Sequence, residues 1–362
     1  MRSAVEEALD TVDGATRLVV MPDYDDSLEK RPEVQNKDSF VRPNSARLDV
    51  LDTPASPDTR SLLIELNDTP EIDLIVNTGR DADTFEHLVN GSRPQDDWFR
   101  PNIIAEFGVV LRPANSINLD DSFIIVDPGA TEKVFDTIPM ADFRVGKLEA
   151  FTLKYEYNDS LIGLAQRLST VLRAIIGLQD AVESTLNCPT YQVQRVVVKQ
   201  TIVAANCAGF VDEAERRMQA HLNTTLNGTA SSVALLKGAK WLDVMMAAPY
   251  HNKAIGTAFA LRQIKMDMDP QQAYGLKAVL LGDSRPDGAM FEQAIMELGR
   301  ENVVNMRVGK TPLPGETLVV EAPEQARDVL RRLRARFVEG RQHPSKPSTR
   351  FHDLVGVNTR SK

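Results

Sequence analysis

The chain has almost no cysteine, since Cys188 and Cys207 are the only two among its 362 residues. Neither lies in a CxxC pair or beside a histidine cluster. This scarcity excludes a disulfide-stabilised scaffold and argues against a structural zinc site. We interpret both cysteines as buried free thiols, because free cysteine packs as a small hydrophobic residue.

Long hydrophobic runs are also missing from the sequence. No apolar run approaches the roughly 18 residues that a membrane-spanning helix requires. The N-terminal segment carries acids, including Glu6, Glu7 and Asp10, where a signal peptide would need an apolar stretch. These two features predict a cytoplasmic protein with no membrane partner.

The chain carries fewer positive than negative charges, and its formal net charge is −9. This balance argues against broad nucleic-acid binding, which usually needs a basic face. The exception is a group of arginines near the C-terminus, namely Arg331, Arg332, Arg334, Arg336 and Arg341. We interpret the group as a solvated helix end that leads into a flexible basic tail over residues 338–362. A tail that attracts phosphate groups is the alternative.

The composition is that of a soluble globular protein, with 42% hydrophobic and 26% charged residues, and the length suits two domains. Short apolar runs alternate with helical patterns in both terminal parts of the chain. The runs predict strands at residues 18–21, 72–76, 103–105, 278–281, 303–308 and 317–320, and one of the helical patterns covers residues 289–298. This alternation predicts the α/β fold class, with a doubly wound, Rossmann-like core.

The pattern changes between about residues 114 and 239, where strands and two helices are segregated. Strand patterns cover residues 123–126, 151–155, 193–203, 231–236 and 241–245, and helical patterns cover residues 161–178 and 213–222. We therefore predict an α+β domain over residues 113–245, inserted into a discontinuous core of residues 1–112 and 246–337. Residues 29–57 are polar and dotted with proline, and we interpret them as a long loop.

Polar side chains follow three of the predicted strands. Asp23 and Asp25 come after the first strand, Thr78 after the second, and Asp283 and Asp287 after the strand that ends at residue 281. Ligands of open α/β sheets bind beyond the carboxyl ends of the strands, so these groups should meet at one edge. Neighbouring carboxylates there repel by roughly 4 kcal/mol per pair. A hard divalent cation removes that penalty, and Mg²⁺ suits a site that it shares with a substrate phosphate.

The same side chains suggest phosphoryl transfer. Asp23, the first acid after its strand, is placed to act as a nucleophile through an aspartyl-phosphate. Asp25 faces the same side of an extended segment and is placed to protonate the leaving oxygen and then to activate water. Thr78 and the backbone N–H groups after it are candidates to hold the phosphoryl oxygens. Lys253, at the start of a predicted helix, is the candidate cation.

This ordered set resembles the four motifs of the haloacid dehalogenase (HAD) superfamily. The segment 20–28, which contains Asp23-Tyr24-Asp25, is similar to the first motif, and Asn77-Thr78-Gly79-Arg80 is similar to the second. Lys253 stands where the third motif supplies its lysine, and the segment 282–291 resembles the acidic fourth motif. The predicted insert lies where the sugar-phosphatase branch carries its larger α/β cap.

The resemblance implies a Mg²⁺-dependent phosphatase with an HAD-like core, acting on a small-molecule sugar phosphate. It implies that Asp23, Asp25, Thr78 and Lys253 are catalytic. It also implies a Mg²⁺ ion held by Asp23, Asp25 (through its carbonyl), Asp283 and Asp287. The implied substrate contacts are Gly79, Arg80, Glu106 and Asn252.

Within that branch the chain is most similar to the trehalose-6-phosphate phosphatases, through Asp23-Tyr24-Asp25, the turn at residues 78–81 and the stretch Ala105-Glu106-Phe107-Gly108. Trehalose 6-phosphate is therefore the expected substrate. Sucrose phosphate, a glycosyl-phosphoglycerate or another hexose phosphate are the alternatives within the same class.

Three residues depart from the family pattern. Asp26 and Ser27 replace the usual glycine and threonine of the first motif, and Ser284 stands where the trehalose branch usually has a second acid. Ser27 keeps the hydroxyl group, whereas Asp26 and Ser284 favour a different class of function as the rival, a catalytically inactive binding or regulatory protein with the same fold.

A nucleotide-binding ATPase is excluded. Gly309-Lys310-Thr311 resembles the end of a phosphate-binding loop, but Val304 stands where that loop needs a glycine.

Overall fold

The computed structural model describes residues 3–30, 54–117, 121–126, 136–139, 170–171, 174–175, 177–199, 201–225, 233–238, 240–247, 252–340 and 351. The chain divides into two compact units, one of residues 1–117 with 256–362 and one of residues 118–255. The second unit begins and ends a few residues later than the predicted insert of residues 113–245.

The described elements follow the predicted alternation. The α-helices are α1 (Ala4–Val12), α2 (Pro57–Asp68), α3 (Ala82–Asn90), α4 (Gln179–Leu186), α5 (Val211–Thr225), α6 (Lys253–Asp267), α7 (Pro270–Ala273), α8 (Arg285–Leu298) and α9 (Pro323–Glu339). The strands are β1 (Arg17–Pro22), β2 (Ile72–Asn77), β3 (Asn102–Ala105), β4 (Val110–Arg112), β5 (Phe123–Val126), β6 (Asp136–Pro139), β7 (Arg195–Val198), β8 (Val203–Asn206), β9 (Val233–Lys237), β10 (Trp241–Met246), β11 (Leu276–Gly282), β12 (Val303–Val308) and β13 (Leu318–Val320). None of the described helices is long and apolar enough to span a membrane.

The sheet of the first unit has its strands in the order β13-β12-β11-β1-β2-β3-β4. Neighbouring strands are parallel, except that β4 runs antiparallel to β3. The chain adds β2 and β3 on one side of β1 and later adds β11, β12 and β13 on the other. The core is therefore doubly wound, which confirms the predicted fold class. The winding reverses between β1 and β11, and in such sheets ligands bind beyond the carboxyl ends of the strands at this point.

Burial explains why β1 and β2 form the centre of this sheet. All six residues of each strand are buried. Complete burial is typical of parallel strands that are covered on both faces, and it agrees with the continuous apolar runs in the sequence. The helices α1, α2 and α3 each begin at a side-chain cap. Ser3, Ser56 and Asp81 accept hydrogen bonds from backbone N–H groups in the first turns of these helices.

The start of α8 corrects the sequence prediction. The helix begins at Arg285, earlier than the predicted start at residue 289. Ser284 is its N-cap and Asp287 occupies the third helical position, so the two residues form a capping box. The pattern Ser-Arg-Pro-Asp also puts a proline in the first turn, where proline is favoured. This pattern indicates a helix start at residue 285, whereas hydrophobic periodicity indicates the later one.

The C-terminal arginines are part of α9. Arg331 pairs with Asp58, and Arg336 Nη2 lies 2.7 Å from Asp13 Oδ2. Exposed ion pairs of this kind each stabilise a protein by less than about 1 kcal/mol. They nevertheless direct these arginines toward acids near α1 and α2. Arg341 lies outside the described residues.

One residue of the predicted tail, Phe351, is buried in the first unit. Its ring packs edge-on against Phe259 with centroids 6.2 Å apart. Its backbone N–H donates to Asp73 Oδ1 at 3.1 Å. The remainder of the predicted tail after residue 340 lies outside the described residues.

A buried ion pair joins β1 to β2. Arg17 Nε donates to Asp73 Oδ2 at 2.6 Å and Arg17 Nη2 donates to Asp73 Oδ1 at 3.1 Å. Both side chains are almost fully buried, with 2% and 4% exposed. Two parallel hydrogen bonds of this type fix orientation as well as distance, so the pair sets the register at the start of both strands.

The second unit contains a β5–β6 hairpin and a four-stranded antiparallel sheet in the order β7-β8-β10-β9. Helices α4 and α5 pack against this sheet. The predicted β-rich stretch at residues 193–203 forms the hairpin β7–β8, whose turn is closed by Lys199 N–H donating to the Ile202 carbonyl at 2.8 Å. The strand predicted at residues 151–155, most of the helix predicted at 161–178, and most of the predicted loop at 29–57 lie outside the described residues.

We expect Asp73→Asn to lower the free energy of unfolding by about 3 kcal/mol or more. The substitution leaves the Arg17 guanidinium buried without its counter-charge, which is strongly destabilising. Urea denaturation followed by circular dichroism measures the loss. The matched control is Glu6→Gln, which removes a half-exposed pair with Arg332 and should change stability by less than about 1 kcal/mol. Equal losses in the two variants would show that the buried pair contributes no more to stability than the half-exposed pair.

Candidate functional site

Asp23 and Asp25 follow β1 at the point where the winding of the sheet reverses. Asp23 N–H donates to the carbonyl of Leu281, the neighbouring residue of β11, at 2.9 Å. Tyr24, between the two acids, points into the core, where its ring contacts Phe85 edge-on at 5.3 Å. Successive side chains of an extended segment alternate in direction, so Asp23 and Asp25 face the side opposite Tyr24. This arrangement agrees with the geometry that the sequence predicted for the two acids.

Asp283 and Asp287 come from the end of β11 and the first turn of α8. Asp287 Oδ2 accepts three hydrogen bonds, from Asp283 N–H at 3.1 Å, Ser284 N–H at 2.9 Å and Ser284 Oγ at 2.7 Å. Ser27 Oγ lies 3.3 Å from Asp283 Oδ1. Ser284 therefore supports Asp287 by hydrogen bonds, although it replaces the acid that the resemblance would place there.

Three of these acids are the best candidates for a metal site among the described residues. Asp23, Asp283 and Asp287 each offer a carboxylate oxygen, and the three oxygens lie within 4.8 Å of one another. Asp23 and Asp287 are buried and Asp283 is half-buried. Carboxylates are hard oxygen donors, and a set of three fits Mg²⁺. The fourth predicted ligand, Asp25, has its carboxylate bound elsewhere, which leaves its backbone carbonyl for that role.

Arg80 binds the carboxylate of Asp25. Arg80 Nε donates to Asp25 Oδ2 at 2.8 Å and Arg80 Nη2 donates to Asp25 Oδ1 at 2.8 Å. Asp25 is 7% exposed and the arginine side chain 20%. A bidentate arginine–carboxylate pair fixes the plane of the carboxylate. Sequence reasoning placed Arg80 on the substrate, and this contact with Asp25 was not foreseen.

Thr78 and Gly79 lie in the loop between β2 and α3. Thr78 is fully buried, and its Oγ1 accepts a hydrogen bond from Arg80 N–H at 3.2 Å. Its own N–H donates to the Ile104 carbonyl at 2.9 Å. The helix α3 begins only at Ala82. The amides closest to Thr78 therefore belong to this loop rather than to a helix N-terminus.

The turn Glu106–Gly108, a single 3₁₀ turn after β3, is held against that loop. Glu106 N–H donates to the Arg80 carbonyl at 2.9 Å, and Phe107 N–H donates to the Thr78 carbonyl at 3.1 Å. Glu106 and Phe107 have φ of 51° and 58°, and a non-glycine residue in the left-handed region costs roughly 1–2 kcal/mol. Strain of this kind persists only where the surroundings impose it, often at functional sites. Glu106 is fully buried.

Lys253 and Asn252 lie at the beginning of α6. Asn252 caps the helix, because its Oδ1 accepts from Ala254 N–H at 2.9 Å. Lys253 is the first helical residue and is 2% exposed. Thr257, four residues on and therefore on the same helix face, accepts a hydrogen bond from Asn77 Nδ2 at 3.3 Å. The boundary between the two units falls within the first turn of α6.

Asp26 has a φ of 53°, and its backbone N–H donates to the Glu29 carbonyl at 2.8 Å. The chain therefore turns through the left-handed region directly after Asp25. Glycine adopts this region freely, and aspartate is among the side chains that tolerate it best. The departure of Asp26 from the usual glycine is thus compatible with the turn.

Burial shifts the pKa of one acid near the site. Glu86, on α3, is 2% exposed, and burial raises its pKa from 4.5 to about 7. Arg112 and Arg100 oppose this shift, but the closest of their nitrogens lie 3.6 Å and 3.5 Å from its oxygens, beyond a good hydrogen bond. The neutral form of Glu86 is therefore favoured in the folded protein near pH 6.

Comparison with known proteins gives similarity in structure only. No protein-family model matches the chain, and a search of the curated proteins finds no significant match. The C-terminal domain of C. albicans trehalose-6-phosphate phosphatase matches with a TM-score of 0.52 and 14% identity, over 91% of this chain and 96% of its own. The C-terminal domain of Candida albicans trehalose synthase regulatory protein matches with a TM-score of 0.51 and 11% identity, over 90% and 97%. A trehalose-6-phosphate phosphatase related protein matches with a TM-score of 0.50 and 14% identity, over 89% and 100%. Identities this low establish a shared fold, and the predicted core with an inserted domain is confirmed at that level.

We expect Asp26→Gly to be more stable than Asp26→Ala by about 1 kcal/mol, because only glycine adopts a positive φ without steric strain. Chemical denaturation of the two variants measures the difference. Asp10, an exposed residue of α1, is the matched control, since there alanine should be the more stable of the two by a similar amount. If the glycine and alanine variants had the same order of stability at both positions, the left-handed conformation of Asp26 would be contradicted.

We expect Glu86→Gln to stabilise the protein at pH 8 and to leave its stability unchanged near pH 4. The pKa of Glu86 is raised in the folded state, so folding favours the protonated acid. Its contribution to stability is lost as the pH rises from about 4.5 to about 7 and is then constant. The predicted gain of at most about 3 kcal/mol follows from that shift. Thermal melts from pH 4 to pH 8 test it, with the exposed Glu7→Gln as control, and a gain that does not grow with pH would refute it.

Proposed function

We propose that this chain is a Mg²⁺-dependent phosphatase that hydrolyses a phosphate monoester through an aspartyl-phosphate on Asp23. The observation that carries the proposal is the grouping of the Asp23, Asp283 and Asp287 carboxylates within 4.8 Å, next to a second acid, Asp25, that Arg80 holds by two hydrogen bonds. Carboxylate oxygens grouped in this way suit a Mg²⁺ ion that is shared with a substrate phosphate.

Mg²⁺ would be held by Asp23, Asp283 and Asp287, with the Asp25 carbonyl, and would neutralise charge on these acids and on a phosphoryl group. Asp287 is pre-oriented for this role, because Ser284 and the Asp283 N–H occupy one of its oxygens. Such second contacts fix the direction of a metal-binding carboxylate. Ser27 makes a comparable contact with Asp283.

In the first step a carboxylate oxygen of Asp23 attacks phosphorus, and the bond from phosphorus to the ester oxygen breaks. Asp25 enters this step protonated, with one of its hydrogen bonds from Arg80 released, and donates its proton to that leaving oxygen, which departs as an alcohol. In the second step Asp25 takes a proton from water, and the water oxygen attacks phosphorus. The bond to Asp23 breaks, inorganic phosphate leaves, and both acids return to their starting states.

The remaining residues position and neutralise the transferred group. Thr78 Oγ1 accepts from Arg80 N–H, so its own hydroxyl proton is directed to a phosphoryl oxygen. Lys253 supplies the cation, since its helix α6 is anchored beside the end of β2 through Thr257 and Asn77. Arg80 acts on Asp25, whose carboxylate it orients for proton transfer.

For the substrate we propose a sugar phosphate, with trehalose 6-phosphate as the first choice. The motif resemblance and two neighbours named for trehalose-6-phosphate phosphatase support it. Sucrose phosphate, a glycosyl-phosphoglycerate and other hexose phosphates are the alternatives.

A second candidate is a catalytically inactive regulatory protein. One structural neighbour with a similar TM-score is a regulatory protein of trehalose synthase. Asp26 and Ser284 are the departures that motivated this reading in the sequence. The chain retains Asp23, Asp25, Thr78, Lys253 and Asp283, which the mechanism uses, and this favours the enzyme.

We expect the wild-type protein to release phosphate from trehalose 6-phosphate only with Mg²⁺, and Asp23→Asn to lose about 10³-fold or more in kcat, because the amide is a poor nucleophile. A phosphate-release assay over a panel of sugar phosphates measures both. The matched control is Asp96→Asn, an exposed residue that should keep full activity.

A metal-binding readout separates the two candidates. Mg²⁺ should raise the melting temperature of the wild type, since a ligand that binds only the folded state stabilises it, and should not do so in Asp283→Asn. Stabilisation by Mg²⁺ without turnover of any ester would favour the regulatory protein. Full activity in Asp23→Asn would rule out the proposed mechanism.

A further inference from the structure

The Glu106–Gly108 turn holds the Thr78–Arg80 loop through more than its two backbone hydrogen bonds. The Phe107 ring lies over Gly79. A Cβ atom added at Gly79 would lie 2.7 Å from two carbon atoms of that ring, Cε1 and Cζ. Real Cβ atoms do not approach other atoms so closely, so the ring occupies the space that any other residue at position 79 would need.

Gly79 is adjacent to the residue that orients the acid. Arg80 donates its backbone N–H to Thr78 Oγ1, accepts from Glu106 N–H with its carbonyl, and binds Asp25 with its guanidinium. A shift of the backbone at Gly79 therefore moves the origin of the Arg80 side chain relative to Asp25. The ring of Phe107 is the side-chain contact that blocks such a shift from one side.

The same turn also contacts α6. A Cβ at Gly256 would lie 2.5 Å from Ile104 Cγ2 and 3.0 Å from the Gly108 carbonyl oxygen. The turn is thus enclosed between the loop after β2 and the helix that begins at Lys253. Its strained φ angles at Glu106 and Phe107 are imposed from both sides.

We propose that Phe107 is a positioning residue: its ring fixes the Thr78–Arg80 loop and, through Arg80, the general acid Asp25. This inference rests on the proposed phosphatase function. Phe107 is half-buried, whereas Phe85, which fills the core beneath Tyr24, is fully buried. The ring therefore affects the reaction by holding Arg80 in position relative to Asp25.

The test is a double-mutant cycle between Gly79→Ala and Phe107→Ala. Gly79→Ala forces the loop or the ring to move, and we expect kcat for trehalose 6-phosphate to fall by about 10- to 100-fold, as displacements of about 1 Å do in active sites. Phe107→Ala makes room for the new methyl group. The double variant should therefore be as active as Phe107→Ala alone, which is strong non-additivity between neighbours. Phe107→Leu replaces Phe107→Ala if the latter does not fold.

A second substrate separates positioning from general damage. Nitrophenolate leaves without the help of an acid, so the first step with p-nitrophenyl phosphate depends little on Asp25, although the second step still uses Asp25 to activate water. We expect Gly79→Ala to reduce the pre-steady-state release of nitrophenolate by less than about threefold. Gly238→Ala is the matched control, because a Cβ there meets only the Trp241 carbonyl oxygen, at 3.6 Å. This variant should leave the rates with both substrates unchanged. Additive effects in the cycle, or equal losses on both substrates that track the melting temperature, would overturn the proposal.

Failure of the proposed function would be visible separately, as a wild-type protein that hydrolyses neither ester. Calorimetric binding of inorganic phosphate in the presence of Mg²⁺ then replaces the kinetic readout. A loss of affinity in Gly79→Ala that the double variant restores supports the positioning role of Phe107 at an anion-binding loop. Additive losses, or no phosphate binding by the wild type, overturn it.

Discussion

Mutual repulsion among carboxylates is the constraint around which the first unit is organised. The reversal of the sheet between β1 and β11 brings Asp23, Asp283 and Asp287 together, and the direction of the chain after β1 places Asp25 beside them. Isolated buried charges are unfavourable, so each acid needs compensation. Arg80 compensates Asp25, and hydrogen bonds from Ser284 and a backbone amide compensate one oxygen of Asp287. The grouped oxygens of Asp23, Asp283 and Asp287 are of the kind that divalent cations bind.

The core and its acids were predictable from the sequence because both depend on local patterns. Continuous apolar runs identify buried parallel strands, and polar residues directly after such runs must lie at the carboxyl edge of the sheet. The contact between Arg80 and Asp25 was not predictable, because it depends on the lateral order of β1 and β2 and on a side-chain rotamer. Phe351 was missed for a similar reason, since a single aromatic residue in a polar tail has no periodicity. The start of α8 differs from these two cases, because the capping-box pattern that marks it is local and is present in the sequence.

Backbone strain and close packing occur together at the site. Asp26, Glu106 and Phe107 all adopt positive φ, and two of the three flank the loop that carries Thr78 and Arg80. Local propensity would not choose these conformations, so tertiary contacts impose them. Sequences usually agree with their structures at every level, and the positions that disagree concentrate where function requires a particular geometry. Three of the five described non-glycine residues with positive φ follow this rule, and the other two, Glu71 and Asn115, lie in turns before β2 and after β4.

The interrupted construction of the core has a consequence for biosynthesis. Ser27 and Asp283, which meet beside the proposed metal site, are 256 residues apart. At ribosomal rates of about 5–20 residues per second, the interval between their synthesis is on the order of ten seconds to a minute. Throughout that interval β1 has been made but β11, its partner on one side, has not. A nascent chain therefore presents an apolar strand with an unpaired edge, a feature that promotes association between chains and attracts chaperones.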